Sequence, residues 1–211
     1  MRPLTLSLAL AAVLSTATAH ADDQVRNAPA FTSISVQGPF SVTVDAGKAQ
    51  SLTVRGDPRF IKELSSEVVD GELRLRLRDK DVSHKSWKGD PLVVIGMPAL
   101  RALEVEGAGE INLNRIRGER LDVTYRGAGK MDINGEVKTF SMKAEGVGEV
   151  DAKRLLANDV DIRFRGVGDV SVYARNRLDA VVQGMGSLTY YGKPRTVNKK
   201  ASGIGSVDAG E

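Results

Sequence analysis

Glu149 and Asp169 each follow a glycine pair, twenty residues apart, and are the two carboxylates whose spacing could support acid–base chemistry. If the strands carrying them stack, one acid can hold a proton while the other stays ionised. A polysaccharide-cleaving site uses that arrangement. Arg163 and Arg165 lie at neighbouring positions, in keeping with the arginine such sites often carry. The competing reading is a solvated ladder of charges, because outward positions are charged throughout this part of the chain and nothing in the loops suggests a groove around the pair.

A second set of residues could bind rather than react. In Leu73-Arg74-Leu75-Arg76-Leu77-Arg78 the alternation puts three arginines on one face and the leucines on the other, a basic stripe suited to a sulfated or phosphorylated glycan. The long polar loop 79–91, DKDVSHKSWKGDP, carries His84 and Trp87 with Lys85 and Lys88 beside them. An exposed tryptophan stacks on sugars or anchors an interface, and a buried one covers a core edge. The binding candidates are therefore Trp87, His84, Arg74, Arg76 and Arg78.

Composition narrows the chemistry further. The 211 residues contain no cysteine and two histidines, which removes thiolate nucleophiles, iron–sulfur clusters and thiolate zinc sites. No metal and no cofactor are expected. Thirty Lys and Arg against 27 Asp and Glu leave a net charge of +3, with acids and bases interleaved, so nucleic acid is not an expected partner.

These residues must be positioned by a chain that begins with an address. Met1 and Arg2 precede the apolar run LTLSLALAAVL at 4–14, and Ala19-His20-Ala21 offers small residues at a cleavage site. That is a secretory signal, too short to span a membrane, with cleavage expected after Ala21. His20 leaves with it. The mature chain has no second apolar stretch of spanning length and no cysteine for lipidation, so it is expected to be a free exported protein, periplasmic or secreted.

The rest is dominated by a repeat. Gly-x-Gly triplets recur at Gly107/Gly109, Gly127/Gly129, Gly146/Gly148, Gly166/Gly168, Gly184/Gly186 and Gly203/Gly205, at intervals of 20, 19, 20, 18 and 19 residues. Period-two alternation on both sides of each triplet makes strands, two per repeat, with the glycines at the corner between them. Glycine's tolerance of positive φ is the expected reason for its place there. Counting from the corners, Val105, Tyr125, Ala144, Phe164 and Val182 point inward before it, and Ile111, Met131, Val150, Val170, Leu188 and Val207 after it. The residues just before the triplets run Glu106, Arg126, Glu145, Arg165, Gln183, Ser202. Their alternating sign acts only if equivalent positions are adjacent strands, about 4.8 Å apart. The expected fold is therefore all-β, a right-handed parallel β-solenoid (β-helix) with about six 18 to 20-residue G-x-G coils and a more irregular N-terminal β region.

The domain reading is a signal peptide at 1–21, a linker at 22–30, an N-terminal β region at 31–98 with a short helix near 57–64, and the repeat region at 99–211. Asp57 caps that helix with Pro58 at its first position, and Asp70-Gly71 turns a hairpin. Lys199 at an inward position of the last repeat marks a frayed, polar end, through which a homo-oligomer could stack.

The opening Phe31, Ile34, Val36, Gly38, Phe40, the Gly56-Asp57-Pro58 helix start, the Gly71, Leu73, Leu75 strand and the repeated corners, with Gly109-Glu110-Ile111-Asn112 among them, together resemble the autotransporter adhesin head GIN domain family of bacterial envelopes. The resemblance covers nearly the whole mature chain. It implies a parallel β-helix at the cell envelope that binds surface partners, glycan or protein, and it brings no catalytic residues. No alternating strands of a membrane barrel follow Glu211, so the chain is not expected to be an autotransporter itself. Because the repeat accounts for nearly every glycine and charge without a site, the expectation is an exported non-enzymatic binding or scaffolding protein. The alternatives are the carbohydrate-active enzyme on Glu149 and Asp169 and a purely structural envelope element.

Overall fold

In a computed structural model of the chain, residues 22–78, 87 and 89–211 are described. The signal sequence, His84, Lys85 and Lys88 lie outside them. The elements run β1 (Asp22–Arg26), β2 (Ser33–Gln37), β3 (Ser41–Ala46), β4 (Ser51–Gly56), α1 (Pro58–Glu63), β5 (Leu64–Val69), β6 (Glu72–Leu77), β7 (Leu92–Met97), β8 (Ala102–Tyr191) and β9 (Thr196–Ala209).

They form one open nine-stranded sheet in the order β1-β4-β7-β3-β8-β2-β6-β5, with β9 added to β8. The sheet is mixed. β1 with β4, β4 with β7 and β5 with β6 are antiparallel, whereas β2 with β6 and β8, β3 with β7 and β8, and β8 with β9 are parallel. The right-handed parallel β-solenoid expected from the sequence is therefore corrected, since the mixed strand order overturns it as the fold class. The reason is local. Asp70 and Gly71 both sit at positive φ, 52° and 76°, the geometry of a two-residue hairpin turn, and such a turn can only reverse the chain. The alternating charge column carried information about the repeats after Gly107 and none about β1, β4 or β5.

Helix α1 starts where its sequence says it must. The Asp57 carboxylate accepts from the Arg59 backbone N–H at 2.9 Å, and Pro58 at the first position forgoes a donor that no helical carbonyl could reach. The helix buries Phe60 and Ile61. Arg26 ties β1 to its end, one guanidinium nitrogen donating to the Ile61 carbonyl at 2.5 Å and another to Leu64 O at 2.7 Å. Those carbonyls lack helical donors, so a cation is well placed there. Burial, and then the nearby Arg78, lower the Arg26 pKa from its ordinary value.

β8 is one extended run of 90 residues that turns at its glycines and stacks on itself. The inward columns read from the alternation are buried, including Leu103, Val123, Met142, Ile162, Ala180, Leu113, Ile133, Ala152 and Val172. At the corners the backbones touch. A Cβ placed on Gly127 would lie 1.7 Å from the Gly107 carbonyl oxygen, and on Gly146 1.9 Å from that of Gly127. With φ of 154° and 139° these positions also refuse an L side chain conformationally. Where β8 meets β9 the same register holds, Gly184 opposite Gly203 and Gly186 opposite Gly205. Polar ladders tie the strand arms away from the glycine corners, with Asn134 donating to Asn114 at 2.9 Å and Asn198 to Asp179 at 2.7 Å.

The corner glycines differ from the expectation in two respects. Two strands separated at each corner were expected, but extended backbone runs unbroken through Gly166 and Gly168, as it does through Gly107, Gly109, Gly127, Gly129, Gly146, Gly148, Gly184 and Gly186 in β8 and Gly203 and Gly205 in β9. The pairing with the neighbouring repeat continues through the corner, so the strand has no reason to end there. Positive φ was the expected cause. It applies to Gly168, at 138°, but Gly186 and Gly205 lie outside that region. Close approach is the wider cause. A Cβ on Gly168 would lie 1.8 Å from the Gly148 carbonyl oxygen, and one on Gly186 1.9 Å from that of Gly168 itself. Gly168 thus receives one neighbouring backbone and presses its own carbonyl on the next.

Gly127→Ala is therefore expected to cost about 3 kcal/mol, backbone strain and overpacking together. Gly118→Ala, at a similar φ but with nothing within 4 Å, should cost about 1 kcal/mol. Urea denaturation of both variants checks this, and equal losses would contradict the stacked corners.

Candidate functional site

The two carboxylates of the acid–base reading turn away from each other. Glu149 pairs with Lys130 at 3.3 Å on the preceding repeat. Asp169 accepts from the Ser187 backbone N–H at 3.3 Å and from its hydroxyl at 2.5 Å on the following one. Arg165 donates to Gln183 at 3.1 Å, and Arg163 lies 3.6 Å from Asp161. Each acid thus bonds a partner on a different neighbouring repeat, which is the arrangement of a ladder and not of two carboxylates sharing one site. Among the described residues no group of three His, Asp or Glu side chains could hold a metal ion.

The binding candidates sit elsewhere. Arg74 and Arg76 stand on the solvent side of β6, opposite Ser35 and Gln37 of β2, while Leu73 and Leu75 are fully buried beneath. Glu72 holds Arg74 at 2.7 Å, and that hydrogen bond raises the guanidinium pKa from its ordinary value. Arg78 is exposed just beyond the strand, its backbone N–H donating to Glu63 O at 3.0 Å. Trp87 is half-buried and packs against the core, its ring 5.3 Å from that of Phe60, which in turn lies 5.7 Å from Phe40.

The surface that reading the sequence by its glycines and charges missed is the middle residue of each triplet. Ala108, Ala128, Val147, Val167, Met185 and Ile204 are all apolar and all exposed. Exposure is 56% at Val147, 40% at Val167, 54% at Met185 and 78% at Ile204, while the core columns on either side of each corner are buried. The glycines cause this. With the corner backbones in contact, the one side chain between them can only point outward. Successive corners are one strand spacing apart, about 4.8 Å, so the six residues form a continuous crest. The signal was present in the sequence, as a column rising in size from alanine to methionine and isoleucine.

The crest is flanked by charge that fades along it. Glu106, Arg126, Glu145 and Arg165 line one side and Glu110, Lys130, Glu149 and Asp169 the other, but Gln183, Ser202, Ser187 and Ser206 flank Met185 and Ile204. The most apolar end therefore has an uncharged polar rim. An exposed apolar strip rimmed by polar groups marks an interaction surface.

Against this geometry the chain can be placed among known proteins. A model of the family described as "Putative auto-transporter adhesin, head GIN domain" matches residues 30–194. The chain belongs to this family. Among solved structures, a putative adhesin from Bacteroides fragilis is similar at 22% identity and a TM-score of 0.71, the match covering 91% of this chain and 98% of that one. A putative adhesin from Parabacteroides merdae is similar at 14% identity and a TM-score of 0.48, over 92% and 97% of the two chains. A putative cell adhesion protein from Clostridium sporogenes is similar at 18% identity and a TM-score of 0.47, over 90% and 98%. The Bacteroides likeness concerns the fold. A search of curated proteins found no match. Among the described residues of this family member no helix is long and apolar enough to cross a membrane.

One corner holds an orphan. The Tyr125 hydroxyl is buried, with no hydrogen-bond partner among the described residues, beside a cavity of about 10 Å³ left where Ala144 separates Tyr125 from Phe164. Burial raises the Tyr125 pKa from its ordinary 10.0, because the phenolate would lose its hydration. With the folded value above the unfolded one, this contribution is complete below pH 10 and is lost as pH rises through the folded value. Tyr125→Phe removes an unpaired hydroxyl and should stabilise the fold by about 1 kcal/mol. It should also flatten the fall in melting temperature above about pH 10. Destabilisation by Tyr125→Phe at neutral pH would show that the hydroxyl is bonded.

Proposed function

We propose that the chain is a non-enzymatic, adhesin-like binding protein of the bacterial cell envelope, exported by cleavage after Ala21, that engages a protein partner through the corner crest. The exposed column Val147, Val167, Met185 and Ile204 carries this reading. Apolar side chains held on a stacked backbone lose little freedom on binding, so a strip of this kind spends less of its contact energy on ordering.

A protein partner fits better than a glycan. Sugar stacking uses an aromatic face, and neither the crest nor the residues flanking its corners include an aromatic side chain. Arg74, held by Glu72, and Arg76 keep an anionic glycan as the second reading, on a different part of the sheet. The pairing of Glu149 with Lys130 and of Asp169 with Ser187 speaks against the carbohydrate-active alternative. The purely structural reading leaves the exposed apolar column without a role.

Adhesion of particles coated with the chain to bacterial cells, scored by retention under flow, tests the reading. Replacing Met185 and Ile204 together by Asp is expected to reduce retention at least tenfold, while replacing Arg74, Arg76 and Arg78 by Gln leaves it unchanged. Loss of retention only in the arginine variant would move the site to the basic stripe. Release of new sugar ends from envelope polysaccharide would overturn the non-enzymatic assignment.

A further inference from the structure

The side chains at mirrored offsets from the crest are complementary in its last three repeats. Two residues to either side of Val167 stand Arg165 and Asp169. Around Met185 stand Gln183 and Ser187, and around Ile204 stand Ser202 and Ser206. Four residues from Ile204 stand Lys200 and Asp208, both exposed and neither in an ion pair among the described residues.

We propose that two copies of this chain associate through the crest in a parallel two-fold dimer, with Val167, Met185 and Ile204 each packed on its own counterpart. The inference rests on the crest being the contact surface and names its occupant. A two-fold axis running along the crest places the leading flank of one copy against the trailing flank of the other at the same repeat. Arg165 of one copy then meets Asp169 of the other, Lys200 meets Asp208, Gln183 meets Ser187 and Ser202 meets Ser206. Every such contact occurs twice. Opposite charges facing across an apolar strip fix its register and orientation.

The orientation follows from the same residues. With the crests running in opposite directions about Met185, Arg165 would face Ser202 and Asp169 would face Ser206, leaving every charge without a counterpart. The extent follows too. In the first three repeats the mirrored residues are Glu106 and Glu110, Arg126 and Lys130, and Glu145 and Glu149, like charges about small or medium crest residues. Arg126 and Glu149 are already paired with opposite charges within the chain, to Glu104 at 3.2 Å and Lys130 at 3.3 Å, whereas Arg165 and Asp169 bond the neutral Gln183 and Ser187 and keep their charge uncompensated there. The interface is therefore confined to the last three repeats.

The open end of β9 is a poorer interface. Lys199 lies at an inward position there and its Nζ donates to the Val207 carbonyl at 2.7 Å, so a cation caps the edge a second copy would have to cover.

Sedimentation of the chain from Asp22 onward is expected to show a dimer that dissociates on dilution. Met185→Lys with Ile204→Lys should raise the dissociation constant at least tenfold. Arg165→Asp should weaken the dimer several-fold, and adding Asp169→Arg should restore it, an outcome that a simple folding defect would not give. The chain has no cysteine, so single substitutions can report the symmetry. Val167→Cys, Met185→Cys and Ile204→Cys should each form covalent dimers on mild oxidation, and Ala128→Cys should not. A clean monomer at all concentrations, failure of the charge swap, or equal cross-linking at Ala128 would overturn the proposal. A monomer whose Met185/Ile204 variant still loses adhesion would overturn the dimer alone and leave the binding function in place.

Discussion

Everything in the repeat region depends on the contact between one corner glycine and the carbonyl of the next. The space a Cβ would need at Gly127 is taken by the Gly107 oxygen, and the same holds from Gly107 on Gly38 through to Gly203 on Gly184. That approach lets β8 turn without a loop and still keep each repeat in register with its neighbour. Strand spacing then holds through the corner, not only along the flat runs. A side chain at any of these glycines would have to separate two backbones and would carry the disturbance into both adjacent repeats.

The crest is a consequence of this packing. Between two glycines that must face a neighbouring backbone, the middle residue has nowhere to go but outward, and its identity is free of the core. A chain indifferent to that position would fill it with polar groups. Here it rises instead from alanine through valine to methionine and isoleucine, while the flanking charges give way to Gln183, Ser187, Ser202 and Ser206. Stability rests on the glycines, and the recognition proposed above rests on the residues one position away from them.

Local and periodic features were legible from residues alone. Asp57-Pro58 announces a helix, Asp70-Gly71 a hairpin, and the inward columns announce the core, because each depends on neighbours in sequence or on a strict period. The sheet order was not legible. β4 lies between β1 and β7, joined to each in antiparallel register, and nothing in SLTVRG distinguishes that partner choice from parallel addition. The glycine spacing marked the corners but not their cause, since the carbonyl that crowds Gly168 comes from Gly148, a repeat away. The part-burial of Trp87 was open for a similar reason, because it depends on where Phe60 lies across the fold. The crest was hidden differently. Attention to glycines and charges passes over an apolar residue between them, and only its exposure reveals that the apolar column is not part of the core.

Whether neighbouring corners touch decides the rest. Paired cysteines measure this directly in a chain that has none of its own. Cysteines at 147 and 167 would occupy adjacent corners, about 4.8 Å apart, within the range a disulfide can bridge, whereas 147 and 185 are two corners apart, about 10 Å. Mild oxidation of the dilute protein should close the 147–167 bridge within one chain and leave the 147–185 pair reduced. Equal closure of both pairs, or of neither, would contradict the stacked corners on which the crest and its proposed role rest.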